Sequence, residues 1–126
     1  MYNPCVPFEF LLTQTLKMVQ TDNREFIRFI TESGKEFYMN HDQDCCERVE
    51  IEDIDGDLQR LIGSPILLAE EVSNQGENGE WGDTCTWTFY KLSTVNDSVT
   101  IRWYGSSNGY YSERVNFRQI ISQPDD

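Results

Sequence analysis

The chain has 126 residues, 38% of them hydrophobic and 13% aromatic, and a formal net charge of −12 at pH 7. That length suits one domain around a single core, and the aromatic content excludes a disordered acidic chain. The negative charge excludes nucleic-acid binding through the bulk field, because phosphates need cations, and no apolar run reaches the roughly 18–20 residues of a membrane span.

The first residues, MYNPCVPFEF, lack the basic start and long apolar stretch of a secretory signal. A cytoplasmic protein is therefore expected, with Cys5, Cys45, Cys46 and Cys85 reduced. Residues 1–14 form an N-terminal arm. TLKMVQ (15–20) alternates apolar and polar residues and predicts a strand. REFIRFITESGKEFYMN predicts a hairpin, with strands near 25–32 and 35–40 and a turn at Ser33-Gly34. CERVEIEDI (46–54) sets Val49 and Ile51 against Arg48, Glu50 and Glu52, a strand with one apolar and one acidic face. Asp55 or Asp57 caps a short helix whose apolar stripe is Leu58, Leu61 and Ile62, and Gly63 and Pro65 end it.

PILLAEEV (65–72) predicts a further strand, and SNQGENGEWGD (73–83) a loop. The last third reads as a three-stranded meander over 84–117: TCTWTFYKL, SVTIRWYG and YYSERVNF. Its alternating apolar sets are Cys85, Trp87, Phe89; then Val99, Ile101, Trp103; then Tyr111, Val115, Phe117. The expected fold is mainly β (α+β), one domain over 1–126. It is a single antiparallel twisted sheet or half-open barrel of about seven strands with one short helix.

Charge is concentrated. Residues 42–83 hold thirteen acids against Arg48 and Arg60, a net of −11, while the flanking thirds are near neutral. Such a segment is drawn to basic surfaces, including the grooves of proteins that bind nucleic acid.

Three blocks in order, HDQDCCERVEIEDIDGDLQRLIGSPILLAEE (41–71), TCTWTFYKL (84–92) and VTIRWYGSSNGYYSERVNF (99–117), resemble a family of small bacteriophage and prophage proteins catalogued as a domain of unknown function. The resemblance spans roughly residues 15–117. It implies a phage accessory product in a host bacterial cytoplasm and supplies no reaction. It also implies smaller side chains where this chain has Arg48 and Arg114, so a pocket shared around them is altered here. By analogy of context, small acidic phage proteins of this kind block host defence, as anti-CRISPR proteins do.

Enzyme chemistry finds little purchase. His41, Asp44 and Cys45 contain the residue types of a nucleophile, base and orienter, but triad members normally arrive from separate elements. Nearby carboxylates would also make a thiolate scarcer. No pair of acids stands out for glycoside chemistry, and the acidic loop lacks EF-hand order. His41, Cys45 and Cys46 are metal-ligand types without a metal-binding spacing, and adjacent cysteines in an extended segment point to opposite faces. Neither a metal nor a cofactor is expected.

Two binding readings remain. In the first, a non-enzymatic inhibitor presents Asp42, Asp44, Glu47, Glu50, Glu52, Asp53, Asp55 and Asp57 to the basic surface of a host nucleic-acid-binding effector. Alternate strand residues lie about 6.6–7 Å apart, close to the phosphate spacing of one nucleic-acid strand. In the second, a sponge for a small nucleotide signal uses Arg102, Trp103, Tyr104, Asn108, Tyr110, Tyr111 and Arg114, with Arg118 as a further phosphate clamp. A third reading is a structural or regulatory phage component pairing through a strand edge, as a homodimer for instance.

Overall fold

The computed structural model of the chain describes residues 3–77, 84–108 and 111–121. The expected mainly β, antiparallel fold is found: among the described residues eight strands divide between two open four-stranded sheets, with no closed barrel. The first sheet holds β1 (Leu16–Thr21), β2 (Phe26–Thr31), β3 (Glu36–Asn40) and β8 (Asn116–Ile120), in that order. The second holds β4 (Arg48–Asp55), β7 (Ser98–Ser107), β6 (Thr84–Ser93) and β5 (Leu68–Glu77), in that order.

The predicted hairpin at 25–40 is β2 and β3, turning through Gly34 at φ +91°. The predicted short helix is a 3₁₀ turn at Leu58–Leu61, and Asp57 is its cap, accepting from the Gln59 N–H at 3.0 Å. A second 3₁₀ turn, Phe8–Leu11, lies in the N-terminal arm and buries Phe8 and Leu11. Much of the predicted loop at 73–83 is strand: β5 runs to Glu77 in register with β6, and 78–83 lie outside the described residues. No helix among the described residues is long and apolar enough to cross a membrane.

The predicted three-stranded meander is corrected in its last member. β6 and β7 form the hairpin, but YYSERVNF does not extend it. The chain leaves the second sheet after Ser107 and returns to the first as β8, paired with β3. The reason is apolar burial. Phe117 fits among Phe37 (centroids 5.4 Å), Phe8 (5.1 Å) and Phe29 (6.2 Å), a cluster no edge position of the second sheet would provide. The division into two sheets rather than one has the same origin. β2, β3 and β7 each carry apolar side chains at every second position, and two inner faces bury them together.

One strand buries the parity opposite to its hydrophobic alternation. In β6 the core takes Thr88, Tyr90 and Leu92, while of the expected set Cys85 is buried and Trp87 and Phe89 face outward, half-buried. Tyr90 packs on Phe8 at 4.7 Å, and Leu92 sits opposite Val99. In β7 the expected parity holds: Val99, Ile101 and Trp103 are buried, and the Trp103 Nε1–H points at Met39 Sδ, 3.1 Å away on the opposing sheet. Trp103 is only 1% exposed, so truncation leaves a cavity that neither sheet can close. Trp103→Ala should therefore lose about 3–5 kcal/mol in urea unfolding; a loss near zero would mean the two sheets do not share this core.

Candidate functional site

The acidic segment starts in the loop that carries the chain from the first sheet to the second. Glu47 does not face solvent there. Its side chain is buried and accepts from the backbone N–H groups of Asp44 (2.8 Å) and Cys45 (2.9 Å) and from His41 Nε2 (2.8 Å). His41 Nδ1 lies 2.7 Å from the Arg114 carbonyl oxygen. Both ring nitrogens thus lie within hydrogen-bond distance of an oxygen. Burial opposes ionisation of Glu47, but the Cys45 and Asp44 N–H groups and the His41 ring outweigh it. They lower its pKa from the usual 4.5 to about 2.

This tight turn overturns the expectation that Cys45 and Cys46 are reduced and point apart. They are joined by a disulfide, with Cα atoms 3.7 Å apart. The opposite-faces expectation required an extended 44–47 segment, and Glu47 bends it instead. Among the described residues no group of three or more His, Cys, Asp or Glu side chains is arranged to hold a metal ion. His41 in any case has both nitrogens occupied.

The remaining acids of the segment divide into compensated and uncompensated. Asp42 accepts from both terminal nitrogens of Arg118 and from Asn116 Nδ2 (3.3 Å), and the Arg118 guanidinium holds its carboxyl below the ordinary range. Glu50 is held by Arg24 (3.0 Å) and Arg48 (2.9 Å); against the effect of burial, these keep its pKa low. Glu52 Oε1 lies 2.7 Å from Arg102 Nε, an ion pair whose angle does not make a hydrogen bond. Asp57 is spent on its cap. Asp44, Asp53 and Asp55 are exposed and make no ion pair among the described residues. The even spacing expected along this strand is also interrupted. A bulge between Ile51 and Asp53 sets Glu52 out of register and puts Asp53 opposite Arg102.

The second predicted set does not converge on one pocket. Trp103 is in the core. Arg102 and Tyr104 stand on the outer face of the second sheet, where Tyr104 packs on Trp87 at 5.2 Å. Asn108 follows the end of β7, and Tyr110 lies outside the described residues. Tyr111 and Arg114 belong to a strand-free segment, 111–115, that runs over the inner face. Arg118 is in the first sheet, held by Asp42. The three arginines proposed as a phosphate clamp are therefore separated.

Two surfaces emerge instead. The first is a cleft of about 750 Å³ between segment 111–115 and the inner face of β5 and β6, whose hydroxyls are Ser73, Thr84, Thr86 and Thr88. Glu113 anchors that segment, accepting from Thr84 (2.5 Å), Thr86 (2.7 Å) and Ser107 (2.5 Å). Burial opposes its ionisation, yet the Ser107, Thr84 and Thr86 hydroxyls hold its pKa below the usual carboxylate value. Gly105 permits this approach, since a Cβ there would lie 3.0 Å from the Glu113 Cβ and 3.1 Å from Val49 Cγ2. Across the cleft, burial raises the pKa of Glu71, and the Arg114 charge opposes it. Glu113 escaped the sequence reading. The signal for its site was Thr84-Thr86-Thr88, three hydroxyls at every second position, which marks one polar stretch of a strand face.

The second surface is the outer face of the second sheet. Trp87, Phe89 and Tyr104 lie side by side there, Val72 is 43% exposed at one margin, and the Arg102–Glu52 pair and Asp53 stand at the other. A shallow hollow of about 510 Å³ is lined by Glu52, Asn74, Trp87, Phe89 and Arg102.

The chain matches the domain of unknown function DUF7448 over residues 9–117, from within the first 3₁₀ turn to Phe117 of β8. It belongs to that family. No curated protein and no solved structure matches it.

The depressed pKa of Glu47 fixes a pH dependence. A carboxyl with a folded-state value below its unfolded one stabilises the fold above the unfolded value, and that contribution is lost as pH falls toward the folded one. Thermal unfolding should therefore shift downward as pH drops from about 4.5 to about 2. Glu47→Gln should melt lower at neutral pH and show a flatter acid limb. An unchanged limb would remove Glu47 from this role.

Proposed function

Starting from membership of a family with no assigned activity, we propose that the protein is a non-enzymatic, phage-encoded inhibitor. It binds the basic surface of a host nucleic-acid-binding defence effector in the bacterial cytoplasm. The phage origin and the anti-defence role rest on the sequence resemblance to small phage and prophage proteins. The observation that carries the binding reading is the outer face of the second sheet. There Trp87, Phe89 and Tyr104 form an aromatic centre, and the uncompensated Asp53 and Asp55 border it on β4. Aromatic side chains supply most of the energy of protein interfaces, and rim charges choose the partner and speed encounter.

The arginine pairing narrows the acidic part of this proposal. Glu50, Glu52 and Asp42 are each held by an arginine, and Glu47 is buried, so they contribute little outward field. Asp53 and Asp55 replace the full row of eight as the residues that would meet a basic partner. A nucleotide sponge is the second reading, supported by the volume of the inner cleft. Its chemistry is less favourable for phosphate, because Glu71 and Glu113 both line that cleft and Arg114 is the one cation among its described lining residues.

Affinity capture from host lysate separates these readings. The wild-type protein should retain a nucleic-acid-binding protein at low salt and release it at high salt. Asp53→Lys with Asp55→Lys should abolish retention while the variant stays folded, its melting temperature lowered only modestly by the new like charge opposite Arg102, since neither aspartate makes an ion pair among the described residues. Equal retention by this variant at both salt concentrations would defeat the inhibitor reading. Stabilisation by any cyclic or linear nucleotide in a thermal-shift screen would favour the sponge.

A further inference from the structure

Two open sheets have four edges, and three of them are closed by local devices. Along β8, the Val6 N–H donates to Phe117 O and the Gln119 N–H to Pro4 O, each at 3.0 Å, so the N-terminal arm covers that edge. Along β1, the Gly63 N–H reaches Leu16 O (3.0 Å), the Gln59 side-chain amide reaches Val19 O (2.9 Å), and the register shifts between Leu16 and Met18. Along β4, the Ile51 N–H donates to Arg24 O (2.7 Å), and the bulge at Glu52 twists the strand.

Among the described residues β5 has none of these hydrogen-bonded covers, although the Phe8–Leu11 turn packs against it. Its ten residues, LAEEVSNQGE, pair with β6 in unbroken register and include no proline, lysine or bulge. Residues 70–75 are all exposed, and among the described residues no backbone hydrogen bond ties β5 to anything but β6. Natural proteins blunt exposed edges because a bare edge is a template for another strand. Among the described residues, three edges are closed and the longest edge strand is left open.

The side chains indicate the occupant. Glu70 and Glu71 are consecutive, so they point to opposite faces of the strand. Neither makes an ion pair among the described residues, although Glu71 feels Arg114 across the cleft. An incoming strand therefore meets a carboxylate on each of its faces. Pairing with a second copy would set this acidic strand against itself, in a molecule of net charge −12. We propose that β5 accepts an extended lysine- or arginine-bearing segment by strand addition. This rests on the reading of the protein as a binder of basic partners and adds the place and mode of contact.

The test uses the full chain and two synthetic peptides that match β5 in length and each other in charge. One alternates lysine and valine; the other alternates lysine and proline and cannot form a ladder. The lysine–valine peptide should bind and slow amide exchange over 70–75 by at least about tenfold, and the lysine–proline peptide should not. Val72→Pro and Ser73→Pro sample both backbone orientations. On an edge strand every second N–H points away from the sheet, so one of the two removes only an edge donor. Whichever variant keeps its fold should bind the lysine–valine peptide at least about tenfold more weakly; if neither folds, the two peptides decide.

Equal binding of both peptides, protection away from β5, or unchanged binding by the folded proline variant would overturn the proposal. A dimer in light scattering whose β5 amides are protected without peptide would also overturn it, giving the edge to a second copy. The outcome is separable from that of the inhibitor reading. If peptide pairing fails while Asp53→Lys with Asp55→Lys still abolishes effector capture, the edge alone is wrong; the reverse pattern sinks the basic-surface reading and leaves the edge standing.

Discussion

A single buried carboxylate ties together the two places where the chain changes sheets. Glu47 holds the first crossing by accepting from the Asp44 and Cys45 N–H groups, and it grips His41, whose other nitrogen meets the Arg114 carbonyl in the second crossing. The sheets themselves are joined by apolar contact, which is non-directional. What fixes the paths of the two connecting segments is this polar bridge, which leaves no charge or donor at its centre without a partner. The bent loop that Glu47 holds also carries the Cys45–Cys46 disulfide and leads directly into β4.

Glu113, next to Arg114 at the same end of the second sheet, works in the same manner. Three hydroxyls converge on its carboxylate, and the missing side chain of Gly105 lets it press against β7. Carboxylates in this molecule thus serve two purposes that composition cannot separate. Some pin loops, and some face solvent. Arginines sort the rest: Arg24, Arg48, Arg102 and Arg118 each lie against an acid and remove it from the outward field. A net charge of −12 therefore does not translate into an acidic face of matching strength.

The second sheet is the more exposed half of the fold. Its strands β5, β6 and β7 are each ten residues long, against five or six in the first sheet. That length sets the aromatic trio on an outer face, a hydroxyl row on an inner one and an unclosed edge beside both. In this fold the long β6–β7 hairpin and its neighbour β5 are what present these surfaces.

Periodicity alone made several elements legible. The hairpin at 26–40, the apolar positions Val49 and Ile51, the Asp57 cap and the buried set of β7 follow from local chemistry and spacing, which act within a few residues. Where local signals were matched by an alternative, the tertiary structure chose. In β6 both parities carry large side chains, and the core took Tyr90 and Leu92 because Phe8 and Val99 were there to meet them. YYSERVNF carries the signals of a third meander strand, yet Phe117 found its aromatic neighbours in the other sheet. The eight acids of 42–57 look alike in sequence. Glu47 and Asp57 find backbone N–H groups close by, but the arginines that meet Glu50, Glu52 and Asp42 include Arg24, Arg102 and Arg118, which lie far along the chain and reach them only in the folded molecule.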